Sequence, residues 1–133
     1  MKRLCLFSLV ACSLTGCGQT SSHLPVTGIV KFSDGTVPKG DIASITFQPT
    51  AAGPGTKGAS GNIGADGSFE LRTVKPGDGA LPGDYRVTVH VMQGYPDGKS
   101  MVADIYTRAS ATPLNATVAA GAENHFDFTV ERP

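Results

Sequence analysis

The clearest indication of the fold lies in residues 82–91, which read PGDYRVTVHV. After a Pro-Gly turn, apolar and polar side chains alternate strictly: Tyr85, Val87, Val89 and Val91 against Arg86, Thr88 and His90. A period of two places one set of side chains on each face of an extended chain. The stretch therefore predicts a β-strand with one face on a hydrophobic core and the other in solvent.

The same alternation recurs along the chain. It is clear in five further segments and weaker in a sixth, at 26–32, 44–48, 68–72, 114–118, 126–131 and 58–63. Asp-Gly pairs, which suit tight turns, occur at Asp34, Asp66, Asp78 and Asp97, and Asp66-Gly67 has the best hairpin setting. About seven short strands with frequent turns predict an all-β fold, a seven-stranded antiparallel β-sandwich over residues 25–133.

Aromatic side chains supply the expected core. Five phenylalanines fall on the apolar positions of the predicted strands: Phe32, Phe47, Phe69, Phe126 and Phe128. Each buries ~150–250 Å² when enclosed. Tyr85 follows the Pro82-Gly83 corner, where a tyrosine either hydrogen-bonds back to the backbone or simply packs in the core.

The first seventeen residues have the order of a secretory signal. Lys2 and Arg3 precede an apolar run from Leu4 to Leu14, and Leu-Thr-Gly-Cys follows at 14–17. This ending resembles the bacterial lipobox, which implies removal of residues 1–16 and lipidation of Cys17. The run is too short for a transmembrane helix, which needs about 20 apolar residues. An ordinary signal cleavage and a buried helix are the alternatives.

Lipidation would attach the protein to a membrane through Cys17, with residues 17–24 as a short tether. Gly18 in place of an Asp after the cysteine favours the outer membrane of a bacterial envelope. Cys5 and Cys12 lie in the signal, so the exported chain is expected to have neither a disulfide nor a cysteine metal site.

Charge argues against a nucleic-acid partner. Without Lys2 and Arg3 the chain keeps nine basic and eleven acidic side chains, a net charge of −2. The basic residues are scattered, whereas nucleic-acid binding needs a basic patch.

The sequence carries no clear catalytic pattern, so we expect a protein that is not an enzyme and uses no cofactor. His23, His90 and His125 are the only imidazoles. They fall in the tether or at outward and edge positions, with no Gly-x-Ser-x-Gly elbow. The aspartates fit turns better than a metal site, although a site assembled across loops from Asp34, Asp66 or Asp97 stays open.

Several segments resemble a family of small lipoproteins common in planctomycete bacteria, which carry a carboxypeptidase-regulatory-like domain. The similar segments are PVTGIV at 25–30, ITFQP at 45–49, DGSF at 66–69, GDGALPGDYRVTV at 77–89 and NHFDF at 124–128. The resemblance implies a transthyretin-like (prealbumin-like) sandwich at an envelope address. It implies no established catalytic activity.

These features predict a non-enzymatic, lipid-anchored structural or protein-interaction module. Its expected contact surfaces are loops 50–62 and 92–113, because loops on a rigid scaffold carry function. Within 92–113, residues 101–106 fit a short helix or a strand equally well. The alternative is a glycan- or small-ligand-binding lipoprotein that uses Tyr95 and Tyr106 of that segment as stacking rings.

Overall fold

The structure, a computed structural model, describes residues 23–51 and 56–133. The predicted signal and Cys17 lie outside the described residues. Within them the chain forms eight strands and one short 3-10 helix. The strands are β1 (Thr27–Phe32), β2 (Ile42–Pro49), β3 (Ala59–Asn62), β4 (Ser68–Glu70), β5 (Gly83–Gln93), β6 (Lys99–Ser100), β7 (Asn115–Val118) and β8 (His125–Val130), and the 3-10 helix is Asp104–Thr107.

The strands form two sheets, which confirms the all-β class. One sheet has the order β4-β1-β8. The other has the order β3-β2-β5-β6, and β7 also pairs with β5. The long β5 strand pairs with both β6 and β7. Its first residues, Gly83–Arg86, pair with β7, and its last, Met92 and Gln93, pair with β6.

Strands form at all seven predicted positions, and β6 is an addition. A strand of two residues has no alternation to detect, which is why residues 99–100 escaped prediction. The undecided segment 101–106 is resolved in favour of the 3-10 helix at 104–107.

One pair departs from the predicted antiparallel arrangement. β1 runs antiparallel to β4 but parallel to β8, with Thr27 opposite His125 and Phe32 opposite Val130. Parallel neighbours need a long crossover connection. The residues between β1 and β8, which include the whole second sheet, provide it.

The predicted hairpin at Asp66-Gly67 forms and joins the two sheets. Ser60 and Arg72 exchange two backbone hydrogen bonds of 2.9 Å, and the Gly64 N–H donates to the Ser68 carbonyl at 2.8 Å. Because β3 belongs to one sheet and β4 to the other, these bonds close one side of the sandwich.

An aromatic cluster fills the space between the sheets. The Phe47 ring lies 5.7–6.2 Å from four others, those of Phe69, Tyr85, Phe126 and Phe128. Four of the five predicted core phenylalanines are buried, and Phe126 is half-buried at the margin. Both interpretations of Tyr85 hold, since its ring is buried and its hydroxyl donates to the Leu81 carbonyl at 2.7 Å.

Gly28 is the point of closest packing between backbone and core. A Cβ at this position would overlap the carbonyl oxygen of Phe126 on β8 and the ring of Phe69. Only glycine fits, because the β1–β8 pair and the aromatic cluster meet here without space for a side chain.

The sandwich has two ends, which we name after one residue of each. The Leu24 end comprises residues 24–26, 50–51, 56–58, 73–84 and 119–124, and the Tyr95 end comprises 33–41, 63–67, 94–98 and 131–133. Leu24 exchanges two backbone hydrogen bonds with Ala80, of 2.8 and 3.0 Å. The folded part thus includes Leu24, although residues 17–24 were predicted to form the tether.

Among the described residues, no helix has the length and apolarity that crossing a membrane requires.

Candidate functional site

A polar cleft lies beside the β3–β4 hairpin. Its volume is about 670 Å³. Its floor carries Ser44, Thr46, Ser60 and Asn62, and its walls carry Glu70, Arg72 and loop 76–77. The floor residues lie on the outward positions of β2 and β3, because the inward positions of the same strands hold Ile45, Phe47 and Ala59.

The polar side chains of the cleft have no hydrogen-bond partners among the residues that the structure describes. In the described part of the chain, the hydroxyls of Ser44, Thr46 and Ser60 and the amide of Asn62 make no side-chain hydrogen bond. Side-chain polar groups elsewhere on the surface often do, as in the Asp34–Thr36 and Asp66–Ser68 turns. The cleft therefore presents a set of donors and acceptors that is open to another molecule.

Two opposite charges face the cleft. Glu70 and Arg72 are two positions apart, so both point outward from the same face of the chain. In residues 23–51 and 56–133, ion pairs join Arg108 to Asp104 and Arg132 to Asp34, and His125 Nε2 lies 3.4 Å from Asp127 Oδ1. Glu70 and Arg72 take part in none of these contacts, so neither side chain is paired with an opposite charge in the described part of the chain.

The wall of the cleft at residues 73–78 is held rigidly by one carboxylate. Asp78 accepts hydrogen bonds from the backbone N–H groups of Thr73 at 2.7 Å, Val74 at 3.0 Å and Lys75 at 2.9 Å. The hydrogen bonds from Lys75 and Thr73 contribute most to holding the pKa of Asp78 at about 2. Three hydrogen bonds to a single carboxylate thus stabilise the loop conformation.

Gly77 lets the Glu70 carboxylate lie against this wall. Its φ of 75° is in the region that favours glycine, and a Cβ there would displace Glu70 Oε1. The backbone of the loop and the carboxylate are therefore in direct contact.

The predicted stacking residues Tyr95 and Tyr106 do not form a shared surface. Tyr95 is 65% exposed at its end of the sandwich, whereas Tyr106 is 7% exposed and belongs to the core. The ring of Tyr106 is therefore not exposed for stacking, and ligand binding by these tyrosines stays a prediction. The cause of this burial is the 3-10 helix at 104–107, which packs against β5 and turns the Tyr106 side chain inward.

The two expected contact loops have different outcomes. Residues 60–62 of loop 50–62 form part of β3 and line the cleft. Segment 92–113 contributes β6 and the 3-10 helix and buries Val102, Tyr106 and Thr112, so much of it packs on the domain itself.

Two of the three histidines and the turn aspartates lie where their sequence positions indicated, whereas His23 is half-buried. His90 and His125 are exposed. Asp34 accepts from the hydroxyl and N–H of Thr36 and from Arg132, which brings its pKa to about 2, and hydrogen bonds from Ser68 lower the pKa of Asp66. Residues 23–51 and 56–133 hold no cluster of three or more His, Cys, Asp or Glu side chains suited to a metal ion.

Sequence reasoning missed Glu70 and Arg72. A signal was available, since both occupy outward positions of the alternating segment 68–72. Their meeting with Ser44 and Thr46, however, depends on the pairing of three separate strands.

Comparisons with protein-family models, curated proteins and solved structures find no match to this chain.

Proposed function

We propose that the protein is a non-enzymatic, lipid-anchored module of a bacterial envelope that binds a partner protein through the Glu70–Arg72 cleft. The observation that carries the proposal is the convergence of two uncompensated charges and four unbonded polar side chains on one rigid surface. A surface segment with one basic and one acidic group would satisfy both Glu70 and Arg72. Charge complementarity of this kind selects a partner and fixes its register.

The position of the cleft supports a partner held near the membrane. Pro76 and Gly77 line it, and they lie in the same loop as Ala80, which pairs with Leu24. Lipidation of Cys17, as the lipobox-like ending implies, would hold this side of the domain close to the bilayer. Stable anchoring takes two acyl chains or an equivalent second signal, and the bacterial modification supplies more than one chain.

The finer fold assignment is part of the same proposal. We propose that the two sheets form a transthyretin-like sandwich of the carboxypeptidase-regulatory-like type, in line with the resemblance of segments 25–30, 45–49, 66–69, 77–89 and 124–128. The two-sheet arrangement supports this assignment. A seven-strand core with β6 as an accessory strand fits it.

The size of the cleft also favours a second candidate, a small polar ligand. About 670 Å³ falls within the roughly 300–1,000 Å³ of typical small-molecule sites. Its polar lining suits a polyol or a zwitterion, and the missing aromatic wall argues against sugar stacking.

The test is photo-cross-linking in intact cells. A photoreactive phenylalanine analogue replaces Ser60 in the cleft, and in a parallel strain it replaces Tyr95 at the opposite end. We expect a discrete protein adduct from position 60 only, and we expect Arg72→Glu to reduce it at least tenfold.

Lys99→Glu is the matched control, because Lys99 is an exposed cation on β6, away from the cleft. It should leave the adduct unchanged. Equal loss with both variants, or an adduct from position 95 alone, would contradict binding through the cleft. A small adduct mass without protein would move the small-ligand candidate to first place. The intact mass of the membrane-extracted protein tests the anchor separately, because an unmodified Cys17 would rule it out.

A further inference from the structure

We propose that the Leu24 end of the sandwich rests directly on the phospholipid surface, with Val74 as the residue that enters it. This inference depends on the proposed anchor at Cys17, and it adds an orientation that an anchor alone does not impose. A tethered domain is free to tumble unless a second contact holds it.

Chain length places this end beside the membrane. Seven Cα–Cα steps separate Cys17 from Leu24, a reach of about 25 Å at full extension. Leu24 is itself bonded to Ala80, so loop 73–80 lies where the chain enters the domain. The surface that meets the bilayer first is therefore the one that carries this loop.

The loop presents an apolar side chain on a rigid support. Val74 is 63% exposed, although its own N–H is bound by the Asp78 carboxylate. The neighbouring N–H groups of Thr73 and Lys75 are bound by the same carboxylate. This loop does not need to reorganise to present its valine, and the Lys75 ammonium beside it suits lipid phosphates.

The distribution of charge also favours membrane contact through the Leu24 end. The Tyr95 end carries five acidic and two basic side chains: Asp34, Asp41, Asp66, Asp97 and Glu131, with Lys39 and Arg132. The Leu24 end carries three acidic and two basic ones: Asp78, Asp84 and Glu123, with Lys57 and Lys75.

The formal charge of these side chains is therefore −3 at the Tyr95 end and −1 at the Leu24 end. Anionic lipids would therefore repel the Tyr95 end more strongly and favour contact through the Leu24 end.

The absence of tryptophan from the sequence makes the inference directly measurable. Single tryptophans are placed at Val74, at Ala122 on the same end, and at Tyr95 as the matched control on the other end. Each lipidated protein is reconstituted in vesicles of phosphatidylethanolamine and phosphatidylglycerol that contain brominated acyl chains, which quench only nearby indoles. We expect Val74→Trp to be quenched at least threefold more than Tyr95→Trp, with a blue-shifted emission, and Ala122→Trp to be intermediate.

A second arm separates this inference from the anchor itself. Cys17 is the only cysteine after residue 16, so its thiol in a chain of residues 17–133 can be coupled to a maleimide phospholipid in the same vesicles. If Cys17 proves to be unmodified in cells, this arm still measures the contact. Equal, solvent-like emission from positions 74 and 95 in the coupled protein would overturn the orientation, whatever the state of the natural anchor.

Discussion

The two ends of the sandwich are built from the same turn residues and yet have different surfaces. At the Leu24 end, Asp78 binds three successive backbone N–H groups and leaves Val74 exposed. At the Tyr95 end, Asp34 and Asp66 bind the hydroxyl and N–H two residues later, and a surface rich in carboxylates results. An Asp-Gly pair thus predicts a turn but not which side chains the turn exposes. The exposed side chains depend on which hydrogen-bond donors the aspartate carboxylate binds.

The largest effect should come from the core that both ends share. Phe47→Ala removes the central ring of the aromatic cluster and should lower the free energy of unfolding by about 3–5 kcal/mol. Urea unfolding is followed with the single tryptophans at 74 and 95. Both reporters should show the same lowered midpoint, because one core supports both ends. Phe126→Ala, at the half-buried margin, is the milder control. An unchanged midpoint at either end would show that the two ends unfold independently.

Acid should weaken both ends through different carboxylates. The folded-state pKa of Asp78 and of Asp34 is about 2, against an ordinary value of 3.8. Each carboxylate therefore stabilises the fold above about pH 4, and this contribution is lost as the pH falls towards about 2.

Asp78→Asn and Asp34→Asn test this pair of sites. Each substitution should lower the Tm at pH 7. The difference in Tm between the variant and the natural chain should disappear near pH 2. A difference that persists unchanged at pH 2 would show that the lost contacts do not depend on the charge.

A smaller effect is expected from the hydroxyl at the entrance to β5. Tyr85→Phe removes the hydrogen bond to the Leu81 carbonyl at the Leu24 end and should cost about 1 kcal/mol. Tyr106→Phe is the control, because the Tyr106 hydroxyl makes no hydrogen bond to the described residues. Chemical denaturation measures the free energy of unfolding of both variants. An equal loss in the two would show that the hydrogen bond from Tyr85 to Leu81 is not the cause.

The smallest effect belongs to the Tyr95 end. The Arg132 guanidinium lies 4.1 Å from the centre of the Phe32 ring, a contact worth about 0.5 kcal/mol at an exposed site. Its ion pair with Asp34 is solvated and adds little. Arg132→Ala should therefore reduce stability slightly, and Arg108→Ala, which breaks an exposed ion pair with Asp104, should reduce it less. A loss comparable to that of Phe47→Ala would mean that this end depends on its surface charges.

Local pattern was enough to locate the strands but not to pair them. Burial of one face requires a period of two, so the seven alternating segments were visible, and so was the corner before Tyr85. The parallel pairing of β1 with β8 joins residues far apart in sequence, and no local signal encodes such a register. Tyr95 and Tyr106 looked equivalent in an irregular segment, and only the docking of the 3-10 helix on β5 separates a surface ring from a core ring.

The cleft was harder to predict because no single segment contains it. Loop 50–62 was expected to be a contact surface, and its residues 60–62 line the cleft. Ser44 and Thr46 were visible only as outward strand positions. The proposed role of the cleft depends on side chains that have no partner among the described residues, and this absence depends on every neighbour in three dimensions.

The parallel pairing of β1 with β8 has a consequence for folding during synthesis on the ribosome. Thr27 and His125 are 98 residues apart, so β1 emerges long before the strand that completes it. At about 5–20 residues per second, the interval is roughly 5–20 s. During that time the central strand of its sheet has an unsatisfied edge, and native folding waits for residues 125–130. This delay fits the proposed export of the protein, which requires an extended chain.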